Sequence, residues 1–362
     1  HGWNFLGGAD NEQLEYARLV ASGDTNNPRY AEAKELLAKE RGSTSRLKKQ
    51  YDGILDDLNT SDAAVTDYLK NPNYTKEDVE GISTTDKTLL RHVSILKQSY
   101  GFGFESIAAM KKDLNRGLKS FNERLDYNLN VDFDGRSVVG DNPNNLEDRD
   151  YGNGDVRAKN GRTHGTHVSG IIAAKRNNGI GMNGVANNVK IMAIRNTPNG
   201  DEYDKDVALG VYYAVDNGAK VINMSFGKSF SPHSDWVRDA IAYAAKKNVL
   251  IVAASGNDGK NTDQINYFPN DQIDNGPEVS NNFVKVGSNG PKYDSTLAAS
   301  YSNYGKNTVD VFAPGSQIYS TYPKNSYEFA SGTSMASPMV AGVAALIFSQ
   351  YPNLSAAQVK QI

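Results

Sequence analysis

Apolar side chains are spaced differently in two parts of the chain. Up to about residue 130 they recur at helical intervals, as Leu89, Val93 and Leu96 do, and the stretches with this spacing are 30–58, 88–100 and 105–123. The pattern predicts amphipathic helices, each with one face that must pack against something. The first stretch contains Gly42 and Ser43, and we expect the helix to be interrupted there.

From about Asn130 onward, short apolar runs alternate with helical patterns. The runs NVKIMAIRN, KVINMSF and VLIVAAS predict buried strands, and the helical patterns 204–218 and 234–248 lie between them. Alternating strands and helices form parallel sheets through right-handed crossovers, and functional residues gather at the carboxyl ends of the strands. We therefore expect an α/β fold: a parallel sheet with helices on both faces, plus a helical insertion.

The change of pattern divides the chain into a helical insertion over 9–130 and a main domain over 131–362. The simpler interpretation of the insertion is a group of helices with a small hydrophobic core of its own. The alternative is a subdomain that binds a partner or regulates the main domain.

Composition excludes several classes of function. The 362 residues carry a net charge of −3, and no basic excess or polybasic run points to nucleic acid or to a membrane surface. No unbroken apolar run is long enough to span a bilayer, so we expect no membrane segment. The absence of cysteine excludes disulfides, a cysteine nucleophile and thiolate metal sites. We expect a monomer.

The segment THGTHVSG, residues 163–170, places a histidine at the start of an apolar helix pattern. There His164 would sit at the rim of a buried helix and could exchange a proton near neutral pH. His164 and His167 do not have the i, i+4 spacing of a zinc-binding helix, and we expect His167 to be a core histidine.

A second segment, GTSMASPMVAG at 332–342, places Ser334 at the start of an apolar helix. Free backbone N–H groups and the helix dipole could stabilise an oxyanion at that position. A serine at a helix start is most often only a cap. Gly332 and Ala336, however, clear space around the hydroxyl that a cap does not need.

A third segment, ASGNDG at 254–259, directly follows the strand VLIVAAS. Asn257 could be an ordinary turn residue between glycines. It could instead direct its amide at negative charge that develops during a reaction.

These three segments, in this order along the chain, resemble the motifs of the subtilisin family (subtilases) of serine proteases. VINMSFG, FVKVGSNG and VDVFAPG are also similar to that family's core, and the likeness covers about 131–362. It implies a subtilisin-like fold and a serine endopeptidase acting on protein or peptide substrates through an acyl-enzyme. His164 would then be the general base and Ser334 the nucleophile, while Asn257 and the Ser334 N–H would form the oxyanion hole.

The resemblance also implies a substrate groove. Gly200 would line one side of the bound peptide, and the pocket for the residue before the cut would have two walls, Ser225, Phe226 and Gly227 on one side and Ala254, Ser255 and Gly256 on the other. Phe226 suggests an apolar wall and a mild preference for large apolar or aromatic residues at that subsite.

The family's catalytic aspartate is not found in the sequence. Asp10 lacks a preceding strand, and Asp132 and Asp134 lack the preceding apolar run. The opening HGWNFLGG resembles the segment that follows this aspartate in long-insertion bacterial subtilases, so 1–8 is interpreted as a remnant of the N-terminal catalytic segment. We expect the chain by itself to be weak or inactive, because the aspartate holds the histidine tautomer. The alternative function is an inactive peptide-binding protein without the triad aspartate.

The resemblance implies no required cofactor, with Ca²⁺ as a candidate structural ion. The loop 176–181 matches a calcium-binding loop of the family, and Asn177 is the best candidate ligand. An ordinary asparagine–glycine turn is an equally good interpretation. The family also implies secretion or export, although no signal peptide is present in this sequence.

Overall fold

The computed structural model describes residues 2–157, 162–274 and 276–362. The chain folds into two compact units: a sheet unit, which combines His1–Glu15 with Asp134–Ile362, and a helical unit, Tyr16–Phe133. The boundary differs from the expected one because residues 9–15 belong to the sheet unit. Glu12 N donates to Asn199 O at 3.0 Å, and the Glu15 carboxylate pairs with Lys228 Nζ at 2.7 Å.

The helical unit has a hydrophobic core of its own, in which Leu58 and Val65 pack with Val93, Leu96 and Leu114. Its helices are, in chain order, α1 (Glu15–Ser22), α2 (Tyr30–Leu69), α3 (Lys76–Glu80), α4 (Lys87–Tyr100) and α5 (Ile107–Glu123), followed by a π-helical turn, Arg124–Asn128.

The expected interruption near Gly42 is wrong, because α2 runs unbroken for 40 residues. A glycine inside a helix costs only about 1 kcal/mol relative to alanine. Burial of Leu37 and Thr44 on either side of the Gly42–Ser43 pair offsets that cost.

The sheet unit contains a four-stranded parallel sheet in the order β3-β4-β5-β6. The elements of this unit are β1 (Gly2–Asn4), α6 (His164–Ala173), β2 (Ala193–Arg195), α7 (Asp204–Asp216), β3 (Val221–Met224), α8 (Ser234–Lys246), β4 (Leu250–Ala254), β5 (Phe283–Asn289), β6 (Val311–Pro314), β7 (Ile318–Tyr322), β8 (Ser326–Ala330), α9 (Thr333–Gln350) and α10 (Ala356–Gln361).

Alternate residues of β4 face opposite sides of this sheet, as strand geometry requires. Ile251 and Ala253 pack against α7 and α8, whereas Leu250 and Val252 pack against α9 and α10. Because both faces are covered by helices, every residue of β4 is buried. This is the predicted α/β architecture, a parallel sheet between two helical layers.

Two smaller sheets complete the unit. β1 pairs in parallel with β2, and β7 and β8 form an antiparallel hairpin. We expected the strand now called β2 to lie in the same sheet as β3. Within the described ranges β2 and β3 are not hydrogen-bonded to each other, so β2 belongs to a separate two-stranded sheet.

Helix α9 is the one helix of the described residues that is long and apolar enough to cross a membrane by length and composition. Half of it is buried, and its Ala336 and Ala341 pack in the same core cluster as Val252 and Val286. The core helix of a globular domain has the same length and composition, so this single match is weak evidence for a membrane span.

A buried ionic network fastens the loop before α6 to the start of α7. Arg136 makes a bidentate pair with Asp206, at 2.5 and 2.8 Å, and a second pair with Asp141, both at 2.7 Å. Lys205 Nζ adds a contact of 2.6 Å to Asp141, and the side chains of Lys205 and both aspartates are fully buried. All the charges are paired, which offsets the cost of removing them from water.

We expect Arg136→Met to lower the free energy of unfolding by about 3–5 kcal/mol, because it leaves Asp206 buried without its main cationic partner. The measurement is denaturant unfolding followed by circular dichroism. The matched control is Arg157→Met, which removes an exposed arginine paired with Asp155 and should leave stability unchanged. Equal effects of the two substitutions would contradict this account of the network.

Candidate active site

Ser334 is the second residue of α9, where backbone N–H groups have no partner within the helix. Its Oγ donates to the carbonyl of Ser225 at 3.0 Å, and Ser225 Oγ donates back to the carbonyl of Ser334 at 2.9 Å. Ser225 directly follows β3, so this reciprocal pair fixes the start of α9 at the carboxyl end of that strand.

Asn257 lies three residues beyond the end of β4 and also holds the start of α9. Its Oδ1 accepts from Thr333 N at 2.8 Å and from Thr333 Oγ1 at 3.1 Å. Thr333 Oγ1 in turn accepts from Gly256 N at 3.1 Å. With Oδ1 engaged in this way, the amide group Nδ2 is directed away from Thr333 and makes no hydrogen bond within the described residues.

Two hydrogen-bond donors border one small space beside Gly332. A Cβ placed on Gly332 would lie 3.6 Å from Asn257 Nδ2 and 3.7 Å from the backbone N of Ser334. Gly332 has a φ of +154°, a conformation that residues with a side chain rarely adopt. The same point lies 3.5 Å from Asn257 Oδ1, so the edge of the Asn257 amide and the Ser334 N–H border a space that the absence of a side chain at Gly332 leaves free.

Asn303 organises the loop that carries Asn257. Its Oδ1 accepts from the backbone N of Asp258 and of Lys260, and its Nδ2 donates to Ser255 O at 2.9 Å. The side chain is fully buried. The sequence alone did not single out Asn303, because no spacing rule connects it with a loop more than 40 residues earlier.

His164 is the first residue of α6, and this helix packs on α9 through Val168, Ile171 and Met335. His164 is exposed to solvent. The surrounding protein nevertheless lowers the pKa of His164 by desolvating its charged form, and the neighbouring His167 lowers the pKa further. His167 itself is buried, as predicted, with Nε2 3.1 Å from Glu328 O.

No carboxylate among the described residues contributes to the pKa of His164. An aspartate partner would raise this pKa by stabilising the imidazolium, which is the opposite of what is found. Asp10 is paired with Arg195, and Asp134 accepts from the backbone N of Ser137 at 3.0 Å. Asp132 is exposed. Ser334 Oγ donates to Ser225 O and makes no hydrogen bond to His164 in this structure.

The residues expected to form the two pocket walls lie at or just beyond the ends of β3 and β4, and most of them are buried. Ser225, Ala254 and Ser255 are each less than a tenth exposed. The ring of Phe226 packs against the hydrophobic core beneath α7 and α8. That contact gives its aromatic ring a structural role, and it removes the reason for expecting large apolar residues at the subsite.

Gly200 lies against the chain's own N-terminal segment. A Cβ on Gly200 would come 2.2 Å from Glu12 O, and the flanking Asn199 N and Asp201 N donate to Asp10 O and Gln13 O. This packing by itself requires a glycine. Whether Gly200 also lines a bound peptide stays a prediction.

Asn177 has left-handed backbone geometry, with a φ of +56°, and its N donates to Asn183 Oδ1 at 2.9 Å. The described residues contain no group of three or more histidine, aspartate or glutamate side chains that could hold a metal ion. A calcium site at this loop would depend on asparagine and backbone oxygens, and it stays a prediction.

The sequence matches known proteins in the part that carries this site. The profile described as "Subtilase family" matches residues 110–362. That range is more than half of the chain, and it includes α6, the Asn257 loop and the start of α9. The chain therefore belongs to the subtilase family of serine proteases.

Several relatives are about 40% identical to the chain. The "Thermophilic serine proteinase" of Bacillus sp. (strain AK1) is 41% identical over 230 residues, which are 63% of this chain and 51% of that protein. Thermitase of Thermoactinomyces vulgaris is 42% identical over 202 residues, 56% of this chain and 66% of the relative. The chain thus spans about half to two thirds of the length of these relatives.

Solved structures show a partial likeness. A protease from Pseudoalteromonas arctica is 34% identical with a TM-score of 0.48, covering 57% of this chain and 65% of that chain.

We expect Asn257→Asp to slow phosphonylation of Ser334 by a fluorophosphonate probe about 10²–10³-fold, the size of loss measured for such a donor in a subtilisin. The substitution keeps Oδ1 as the acceptor for Thr333 but replaces the donor Nδ2 with a negatively charged oxygen. The melting temperature should stay close to that of the unchanged chain. An unchanged labelling rate would contradict the assignment of Asn257 as an oxyanion donor.

Proposed function

We propose that the protein is a serine endopeptidase that hydrolyses peptide bonds through an acyl-enzyme on Ser334. The observation that carries the proposal is the space beside Gly332, which is bordered by Asn257 Nδ2 and by the backbone N of Ser334. Two preorganised donors next to a serine hydroxyl are the arrangement that stabilises a tetrahedral oxyanion.

In the proposed reaction, Ser334 Oγ attacks the scissile carbonyl carbon while its proton passes to His164. The carbonyl oxygen becomes an oxyanion and accepts hydrogen bonds from Asn257 Nδ2 and Ser334 N. The C–N bond then breaks, and the leaving amine takes the proton from His164. Water, activated by the same histidine, releases the acid and restores Ser334. For the first step the Ser334 hydroxyl must turn from the Ser225 carbonyl toward His164.

The second candidate function is a peptide-binding protein that retains the groove but has no turnover. It is favoured by the absence of any carboxylate effect on His164 within the described residues. Loss of the triad aspartate alone lowers turnover by about 3 × 10⁴-fold in a subtilisin. The oxyanion donors and the neutral histidine remain, so we propose slow acylation rather than none.

We also propose export from the cell and protein or peptide substrates. The support comes from relatives, one of which is the "Cell wall-associated protease" of Bacillus subtilis, 40% identical over 229 residues.

A fluorophosphonate probe separates the two candidate functions, because it reacts only with an activated serine. We expect stoichiometric labelling of Ser334, found by peptide mass spectrometry, together with weak casein hydrolysis by the same chain. Ser334→Ala should abolish labelling, and His164→Ala should slow it. Absence of labelling after prolonged exposure would establish the non-catalytic alternative. Casein hydrolysis at the rate of a complete subtilisin would refute the expected weakness.

The pH dependence of labelling tests the role of His164 as base. A base must be neutral to accept a proton, so the labelling rate should rise with pH as His164 loses its proton and then level off. Because desolvation by the surrounding protein and the neighbouring His167 lower the pKa of His164 from its ordinary value of 6.5, the midpoint should lie below pH 6.5. A midpoint above pH 6.5 would contradict the described environment of His164.

A further inference from the structure

The ring of Tyr267 lies between the two glycines that belong to the pocket walls. A Cβ added to Gly227 would come 2.6 Å from Tyr267 Cε1, and a Cβ added to Gly256 would come 2.6 Å from Tyr267 Cζ. Adjacent atoms of one ring edge therefore touch both walls. At this level the side chain of Tyr267 therefore takes up space beside both walls.

Hydrogen bonds fix the backbone of Tyr267 and of the two residues that follow it. Lys285 Nζ donates to Tyr267 O at 2.7 Å and to Pro269 O at 3.0 Å. Phe268 exchanges two backbone hydrogen bonds with Lys228, at 2.9 and 3.0 Å. Lys285 is buried in β5, and Lys228 directly follows the wall residue Gly227. These hydrogen bonds hold the backbone from which the ring extends.

The polar end of the ring stays neutral. Burial raises the pKa of the Tyr267 phenol, and the carboxylates of Asp258, Glu202 and Asp201 raise it further. The hydroxyl makes no hydrogen bond within the described residues. An acidic substrate side chain brought to this point would be repelled by Asp258 and Asp201, whereas burial raises the pKa of Glu202 to about 8 and so favours its neutral form.

We infer that Tyr267 closes the pocket for the residue before the cleaved bond, so that this protein selects small side chains such as glycine, alanine and serine. The inference rests on the proposed function, because it takes the walls at Gly227 and Gly256 as that pocket. It opposes the preference for large apolar residues suggested by Phe226, whose ring packs into the core instead. Tyr267 acts here as a specificity-determining residue.

Peptide binding to the Ser334→Ala chain tests the pocket separately from the chemistry. The ligands are acetyl-Ala-Ala-Pro-Xaa-amides in which Xaa is alanine, phenylalanine or glutamate, and isothermal titration calorimetry gives their dissociation constants. We expect the alanine peptide to bind at least about tenfold more tightly than the other two, the discrimination typical of a mismatch in side-chain size. Phenylalanine binding as tightly as alanine would overturn the inference without any further variant.

Substitution of Tyr267 gives a second test, again by peptide binding. Tyr267→Gly should reverse the order, with the phenylalanine peptide gaining at least about tenfold because an apolar slot opens between the walls. Tyr267→Phe keeps the ring and should keep the preference for the alanine peptide. This variant can be measured even if the glycine variant fails to fold. The matched control, Tyr293→Gly, removes a tyrosine that is 95% exposed. It should leave the dissociation constants of all three peptides unchanged.

The outcomes separate this inference from the proposed function. If the fluorophosphonate probe labels Ser334 but the peptides show no preference for alanine, only the role of Tyr267 is wrong. If no peptide binds and no labelling occurs, both are wrong. Retention of the alanine preference in a folded Tyr267→Gly chain would also overturn the inference, since the selection would then come from other residues.

Discussion

The candidate active site depends on how the first turn of α9 is fastened to the parallel sheet. Thr333 is bound through its N and its Oγ1 to Asn257, and Ser334 exchanges two hydrogen bonds with Ser225. Since Ser225 and Asn257 follow neighbouring strands, β3 and β4, the sheet sets the positions of the proposed nucleophile and of both proposed oxyanion donors together. Preorganisation of this kind is what makes hydrogen-bond donors effective in catalysis, because no rearrangement is needed when charge develops.

His164, the candidate proton acceptor, is held by fewer polar contacts than Ser334 and Asn257. His164 reaches α9 through apolar packing of Val168 and Ile171 on Met335, and no hydrogen bond within the described residues orients its ring. Desolvation by the surrounding protein and the neighbouring His167 both lower its pKa, which favours the neutral base. The proposed site therefore combines two anchored candidate oxyanion donors with a histidine whose imidazolium has no carboxylate partner among the described residues, and this combination is why slow acylation is the expected behaviour.

The features that could be predicted from the sequence are those marked by a pattern of neighbouring residues. The strand–helix alternation predicted β3, α7, α8 and β4. Three short motifs pointed to His164, Asn257 and Ser334 as candidate site residues, and these roles stay predictions. The unpredicted parts arise from contacts between distant residues. Tyr267 is 40 residues from Gly227, and Asn303 is 48 from Ser255, so neither spacing nor periodicity connects them. The uninterrupted α2 illustrates the same limit, since packing by its neighbours outweighs the local cost of Gly42.

The most direct test of the central claim is a crystal structure of the chain after reaction with a fluorophosphonate. The account predicts a bond from phosphorus to Ser334 Oγ, with the phosphonyl oxygen within hydrogen-bond distance of both Asn257 Nδ2 and the backbone N of Ser334. A phosphonyl oxygen that points to solvent, or that contacts neither donor, would contradict the claim that the first turn of α9 and the Asn257 loop form one oxyanion-binding site.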